Sequence, residues 1–180
     1  MNSFRNNEPE AKRSSVDGME DFRLGAARRR LAESTGQTDA IEALREIAGN
    51  FLGSEEIGLF EIDRKTGDIQ LLWCFGIDPK QCHLLGALGD VGLQRMLVGK
   101  CHVAFVADDG AGSEPRTEAF VPIRLADHTV AILAILRLLP QKQGFDRQDM
   151  DLLALLSDEA GKALFGSTLN PVTNQPKART

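Results

Sequence analysis

Cysteine and histidine are the side chains here with the most reactive chemistry to offer, and four of the six stand in two adjacent pairs, Cys82-His83 and Cys101-His102. Cys74 and His128 stand apart. Neighbouring residues point to opposite faces of a strand and diverge by about 100° on a helix, so neither dipeptide readily chelates one ion. No C-x-x-C or H-x-x-x-H spacing occurs, and no metal site is expected. An odd number of thiols without a secretory leader reads as reduced cysteines rather than a disulfide framework. Asp108-Asp109 and Glu55-Glu56 are adjacent carboxylates of the kind that loops leave solvated. Gly86, Gly89 and Gly92 keep a G-x-x-G-x-x-G spacing that is not the dinucleotide fingerprint, and no strand directly precedes it.

Whatever these residues do, they are positioned by a frame centred on 119–164. Ala119-Phe-Val-Pro-Ile-Arg-Leu125 reads as a strand ending in the turn-forming Asp127-His128. Val130-Ala-Ile-Leu-Ala-Ile-Leu136 is short, apolar and β-branched, the pattern of a central strand buried on both faces. Beyond Pro140 and Gly144, Asp146 is placed to cap a helix, with Asp149 at the capping-box position and Phe145 and Met150 at the positions of a hydrophobic staple. Met150, Leu153, Leu156, Ala160, Ala163 and Leu164 then recur at helical spacing.

Upstream, Ile41, Leu44, Ile47, Ala48 and Phe51 mark a helix starting near Thr38 or Asp39 and closed by Gly53. Glu56 to Ile62 and Asp68 to Phe75 read as a hairpin joined by Asp63-Arg-Lys-Thr-Gly67. Strict alternation places Ile69, Leu71, Trp73 and Phe75 on one face of its second strand, opposite Leu72 and Cys74. Leu93 to Leu97 is a short glycine-bounded helix, and Cys101 to Ala107 a third strand. Residues 1–37 are expected to be mostly disordered, with a short, weakly striped helix over Met19 to Leu31; 38–166 form the domain, and 167–180 a disordered tail.

Charge narrows the partners. Of the net −5, residues 1–30 hold seven basic and five acidic side chains, whereas 31–170 hold twelve basic and twenty-one acidic ones. So acidic a body repels phosphate backbones, and the Arg28-Arg29-Arg30 cluster reads as a solvated face, so no nucleic acid is expected. No apolar run approaches the ~20 residues of a membrane span, and no apolar leader opens the chain. A cytoplasmic protein that does not enter a membrane is the expectation.

Strands and helices do not alternate, which excludes a doubly wound α/β fold. The order calls for an α+β fold: an antiparallel sheet with the first and last long helices packed on one face, and short helices and loops forming a pocket on the other. Residues Asp39 to about Leu164 resemble a GAF domain. Ser54-Glu-Glu-Ile-Gly-Leu-Phe-Glu-Ile-Asp63 with Thr66-Gly67-Asp68 resembles its opening hairpin. Gly89-Asp-Val-Gly92-Leu93 and Val98-Gly99-Lys100 resemble its middle helix; Ala119-Phe-Val-Pro122-Ile with Val130-Ala-Ile-Leu-Ala-Ile resembles its closing hairpin; and Phe145 through Leu164 resembles its terminal helix.

That resemblance implies a sensory or regulatory module of bacterial signal transduction, with a ligand held between sheet and middle helices. The bilin-attachment and cyclic-nucleotide patterns of the family are not matched here, so no cofactor is assigned. Candidate pocket residues are Phe75, Leu93, Met96, Phe105 and Phe120, with Arg116 or Arg124 available for an anion. Gly166 and Pro171 stop the last helix before any output domain, so the expectation is a stand-alone module acting in trans on a signalling protein. Its apolar helices are expected to pair in a homodimer through Leu44, Ile47, Leu152, Leu155 and Ala163, unless the segment from Met19 to Leu31 folds back to cover them. Two other readings stay open. One is a ligandless adaptor. The other is a thiol enzyme like the free methionine-R-sulfoxide reductases, whose reactive cysteine lies in a loop before the closing hairpin; here Asp108 to Glu118 holds none.

Overall fold

Val130, Ala131, Ile132, Leu133, Ala134 and Ile135 are all buried, and the sheet is built around them. The computed structural model describes residues 22–80, 82, 97, 103–105 and 119–166. Its strands are β1 (Ser54–Ile62), β2 (Ile69–Phe75), β3 (Ala104–Phe105), β4 (Ala119–Leu125) and β5 (His128–Leu138). They form one antiparallel sheet in the order β2-β1-β5-β4-β3, with β5 in the middle as its two-sided apolar pattern requires. Three helices, α1 (residues 22–32), α2 (Gln37–Asn50) and α3 (Arg147–Phe165), share one core with one face of the sheet.

Alternation along β5 divides the apolar residues between the two faces. Ala131, Leu133 and Ile135 join Leu44, Ile47, Leu153, Leu156 and Leu164 on the helix side. Ile132 and Ala134 join Phe60, Ile62, Phe120 and Cys82 on the other. The alternation expected along β2 fails at one residue. Leu59 pairs with Trp73 but Phe60 pairs with Leu71, leaving Leu72 as the extra residue of a β-bulge. Ile69, Leu71 and Cys74 consequently pack on the open face, whereas Leu72 and Trp73 pack against the helix-side core.

The terminal helix starts as its sequence dictates. Asp146 accepts the Asp149 N–H at 2.8 Å, and Asp149 accepts the Asp146 N–H at 3.0 Å, a complete capping box. One side of α3 then lies directly on β4: the buried Ser157 hydroxyl donates to the Pro122 carbonyl at 2.6 Å, and one turn on Gly161 meets the Arg124 backbone. Helix α2 begins at Gln37 on the N-cap Gly36, without a side-chain cap. Helix α1 belongs to the folded unit rather than to a tail, because Ala27 and Leu31 are buried in the common core.

Two turns set the hairpins. In the first, the Asp63 carboxylate accepts the Lys65 and Thr66 N–H groups at 2.7 and 3.1 Å, and Gly67 takes φ 78°. These hydrogen bonds hold the Asp63 carboxyl below its ordinary pKa. In the second, Ala126 stands at φ 54°, the left-handed region that costs a side-chain-bearing residue about 1–2 kcal/mol. Glycine avoids that cost but loses about 0.5–1 kcal/mol more backbone entropy. Ala126→Gly should therefore stabilise the chain modestly, by up to about 1 kcal/mol in urea unfolding; a loss of stability would show that the turn is not held in this conformation.

Candidate functional site

The open face of the sheet is where a ligand was expected, and its floor is apolar. Phe60, Phe120, Ile132 and Ala134 are buried there, with Leu71, Ala104, Leu136 and Leu97 packed around them. The two described thiols, Cys74 of β2 and Cys82 beyond it, pack on this face. Cys82 is 6% exposed and Cys74 half-buried. Burial pushes the Cys82 thiol up to about 11, with the neighbouring Cys74 adding to the shift. Cys74 is raised too, by burial and then by Asp78. Both environments disfavour a thiolate, the form that attacks electrophiles.

Of the candidate pocket residues, Phe120 alone among those described lies in this floor. Leu93, Met96 and Arg116 lie outside the described residues. Phe75 is carried to the helix side by the bulge at Leu72: it stacks on Trp73 at 6.3 Å, and the Arg45 guanidinium of α2 sits 5.5 Å above its ring. Phe105 meets Phe145 at 5.8 Å, beside the start of α3. Arg124 reaches Asp158 of α3 at 3.9 Å. Phe75, Phe105 and Arg124 are thus directed toward the helices, and the structure does not bring them together with Phe120.

The helix surface assigned to self-association is occupied from within the chain. Leu44, Ile47, Leu152 and Leu155 are buried in its own core, and Ala163 is partly exposed at the border. Leu31 is the largest buried side chain that α1 supplies, worth about 1.5–3 kcal/mol, and ion pairs add to its hold on the core. Arg28 pairs with Glu159, and Arg30 with both Asp39 and Glu46, at 2.8–2.9 Å. Two arginines of the basic cluster are in this way matched by acids of the same chain.

The most concentrated charge lies at the start of α1 and was not evident from the sequence. Asp149 is fully buried, and its carboxylate binds Lys142 Nζ at 2.7 Å and Arg23 Nη2 at 2.9 Å in addition to the Asp146 N–H. Arg23 also donates to Gln148 and to the Phe51 carbonyl. The capping box made Asp149 legible as a cap; nothing in the spacing linked it to partners 126 residues upstream and in the preceding loop.

Recesses open at two places among the described residues that carry charged side chains. One of about 510 Å³ runs between the end of α1 and the last turns of α3, lined by Arg28, Leu31, Thr35, Glu159, Lys162 and Ala163 among others. The other, about 360 Å³, lies at the end of the first hairpin beside Phe165. Both have mixed charge. No group of three or more His, Cys, Asp or Glu among the described residues is placed to hold a metal, and none of the described helices is long and apolar enough to cross a membrane.

The architecture is that of GAF domains. The GAF domain of a phosphoenolpyruvate-protein phosphotransferase from Acinetobacter superposes with TM-score 0.63 at 15% identity, covering 84% of this chain and 95% of that one. The GAF domain of a putative sensor histidine kinase from Pseudomonas syringae pv. tomato gives 0.62 at 14%, covering 89% and 95%. A free methionine-R-sulfoxide reductase from Neisseria meningitidis, solved in complex with its substrate, gives 0.58 at 19%, covering 94% and 99%. No family model and no curated protein matches the sequence. Regulatory domains and an enzyme thus share this fold, and the fold alone does not choose between them.

Proposed function

We propose that this chain is a GAF-like regulatory module of bacterial signal transduction that works in the cytoplasm by binding, taking a protein partner as its output and a small molecule as its signal. The observation that carries this reading is the position of Cys82. Its sulfur packs on Gly58 within an apolar cluster and is held as a thiol at neutral pH, which disfavours the ready nucleophile that a thiol reductase needs. Cys74 is raised in the same sense. The buried polar groups have structural tasks: Asp149 clamps α1, Ser157 satisfies Pro122, and Ser54 donates to the Arg137 carbonyl. The competing reading, a thiol reductase of free methionine-R-sulfoxide, draws on the likeness to the Neisseria enzyme.

Native mass spectrometry of the chain recovered from its own host tests the binding reading. A mass above that of the bare chain, reverting to it on denaturation, is the expected result; bare monomer alone would count against binding. The same spectrum reports self-association. A homodimer through Leu44, Ile47, Leu152 and Leu155 would need these side chains, buried in the chain's own core, to be uncovered.

A further inference from the structure

Gly58 is the direct cross-strand neighbour of Cys74, so the two residues share the open face of the sheet. A Cβ built on Gly58 would stand 2.7 Å from Cys82 Sγ. The Cys82 sulfur therefore fills the space that a side chain at Gly58 would take. Opposed Cβ positions on one face of an antiparallel pair are about 4.5–5.5 Å apart, which places that sulfur beside Cys74. The Cys74 thiol in turn donates to the Ile77 carbonyl at 3.6 Å, so it points toward the loop that carries Cys82. The described residues of this stretch, 76–80 and 82, are held by local contacts. Gly76 turns at φ 75° against the Glu55 backbone, Asp78 accepts the Lys80 N–H at 2.9 Å, and the Cys82 N–H donates to the Pro79 carbonyl at 3.3 Å. Both sulfurs are free thiols in this structure.

From this juxtaposition we infer that Cys74 and Cys82 are a redox pair, closing an intramolecular disulfide that ties Cys82 to the end of β2. The oxidant is a low-molecular-weight disulfide. Cys74, the more exposed thiol, loses its proton and attacks one sulfur of that disulfide; the S–S bond breaks, and the first thiolate leaves and takes up a proton. Cys82, deprotonated in its turn, attacks the Cys74 sulfur of the mixed disulfide, and the second small thiolate leaves and is protonated. Two protein thiols are oxidised and one small disulfide is reduced to two thiols. Because burial keeps both groups protonated at neutral pH, closure is slow there and should accelerate roughly tenfold per pH unit as the thiolate fraction rises.

Oxidised glutathione serves as the probe, on the folded full chain, followed by alkylation of remaining thiols and non-reducing tryptic mapping. Trypsin separates the three cysteines into peptides 66–80, 81–95 and 101–116, so each pairing has its own mass. The expected product is 66–80 linked to 81–95, with Cys101 alkylated. C82S should stop at a glutathione adduct on Cys74. A linkage involving Cys101, a wild-type chain that keeps glutathione on Cys74 without closing, or no linked peptide under conditions that link the denatured chain would each overturn the inference. Should C82S fail to fold, the wild-type map still decides.

Discussion

Replacing Asp149 by alanine should lower the unfolding free energy by about 3 kcal/mol, measured by urea denaturation of the otherwise unchanged chain. The substitution leaves Lys142 and Arg23 without the carboxylate they share, and it removes the N3 member of the capping box. Breaking a buried ion pair from one side typically costs about 3–5 kcal/mol; the lower figure applies because the two cations are 22% and 20% exposed and recover some hydration. The effect carries a pH signature. Burial pushes the Asp149 carboxyl up, but the Lys142 ammonium, the Asp146 N–H and the Arg23 guanidinium outweigh it, leaving a folded pKa below the ordinary value. A depressed folded pKa means that the stabilisation is fully present above the unfolded value, about 3.9, and is lost as pH falls through the folded one. The native chain should therefore lose stability more steeply below about pH 4 than the alanine variant does. Equal slopes would show that Asp149 is not the buried anion of this cluster.

Gly161→Ala should destabilise the chain by about 2 kcal/mol although alanine is the better helix former. A Cβ at this position would stand 2.0 Å from the Arg124 carbonyl oxygen and 2.6 Å from its carbon, both backbone atoms that cannot swing aside. Helix α3 would have to rise off β4, straining the Ser157 to Pro122 hydrogen bond one turn away. Overpacking costs about 1–3 kcal/mol, against a gain in helix propensity of about 1 kcal/mol, and the overlap places this case at the upper end. Gly49→Ala is the matched control. It lies in α2 with no heavy atom within 4 Å of the added carbon, so it should stabilise by up to about 1 kcal/mol. Equal effects of the same sign would show that α3 does not lie this close to the sheet.

Local signals in the sequence located the frame because each acts over a few residues. The apolar run of β5, the Asp146–Asp149 capping box and the Asp63–Gly67 turn are complete within their own segments, and each is found where its pattern places it. What depended on distant partners was not legible. The bulge at Leu72 falls in a run, Leu71 to Phe75, that is apolar throughout, so composition gives no sign of the change in phase that takes Phe75 to the helix side. Helix α1 has a weak stripe, and beside Ala27 and Leu31 it is held by Arg23, Arg28 and Arg30 meeting acids on α2 and α3, pairings visible only once the chain is folded. Gly161 reads as a weak point in a helix until β4 is laid beside it. Phe75 parts from Phe120 for the same reason: strict alternation groups it with Ile69 and Leu71, and one inserted residue reverses that phase.

Whether this chain binds or catalyses is decided most directly by incubating the purified chain with free methionine-R-sulfoxide and a dithiol reductant and following methionine formation. Binding as its function, with Cys74 and Cys82 held as protonated thiols, predicts no methionine above the protein-free control at pH 7, and no change for C74S, C82S or C101S. Catalytic turnover by the native chain, lost on replacing one cysteine in a variant that still folds, would contradict it and make the chain a reductase.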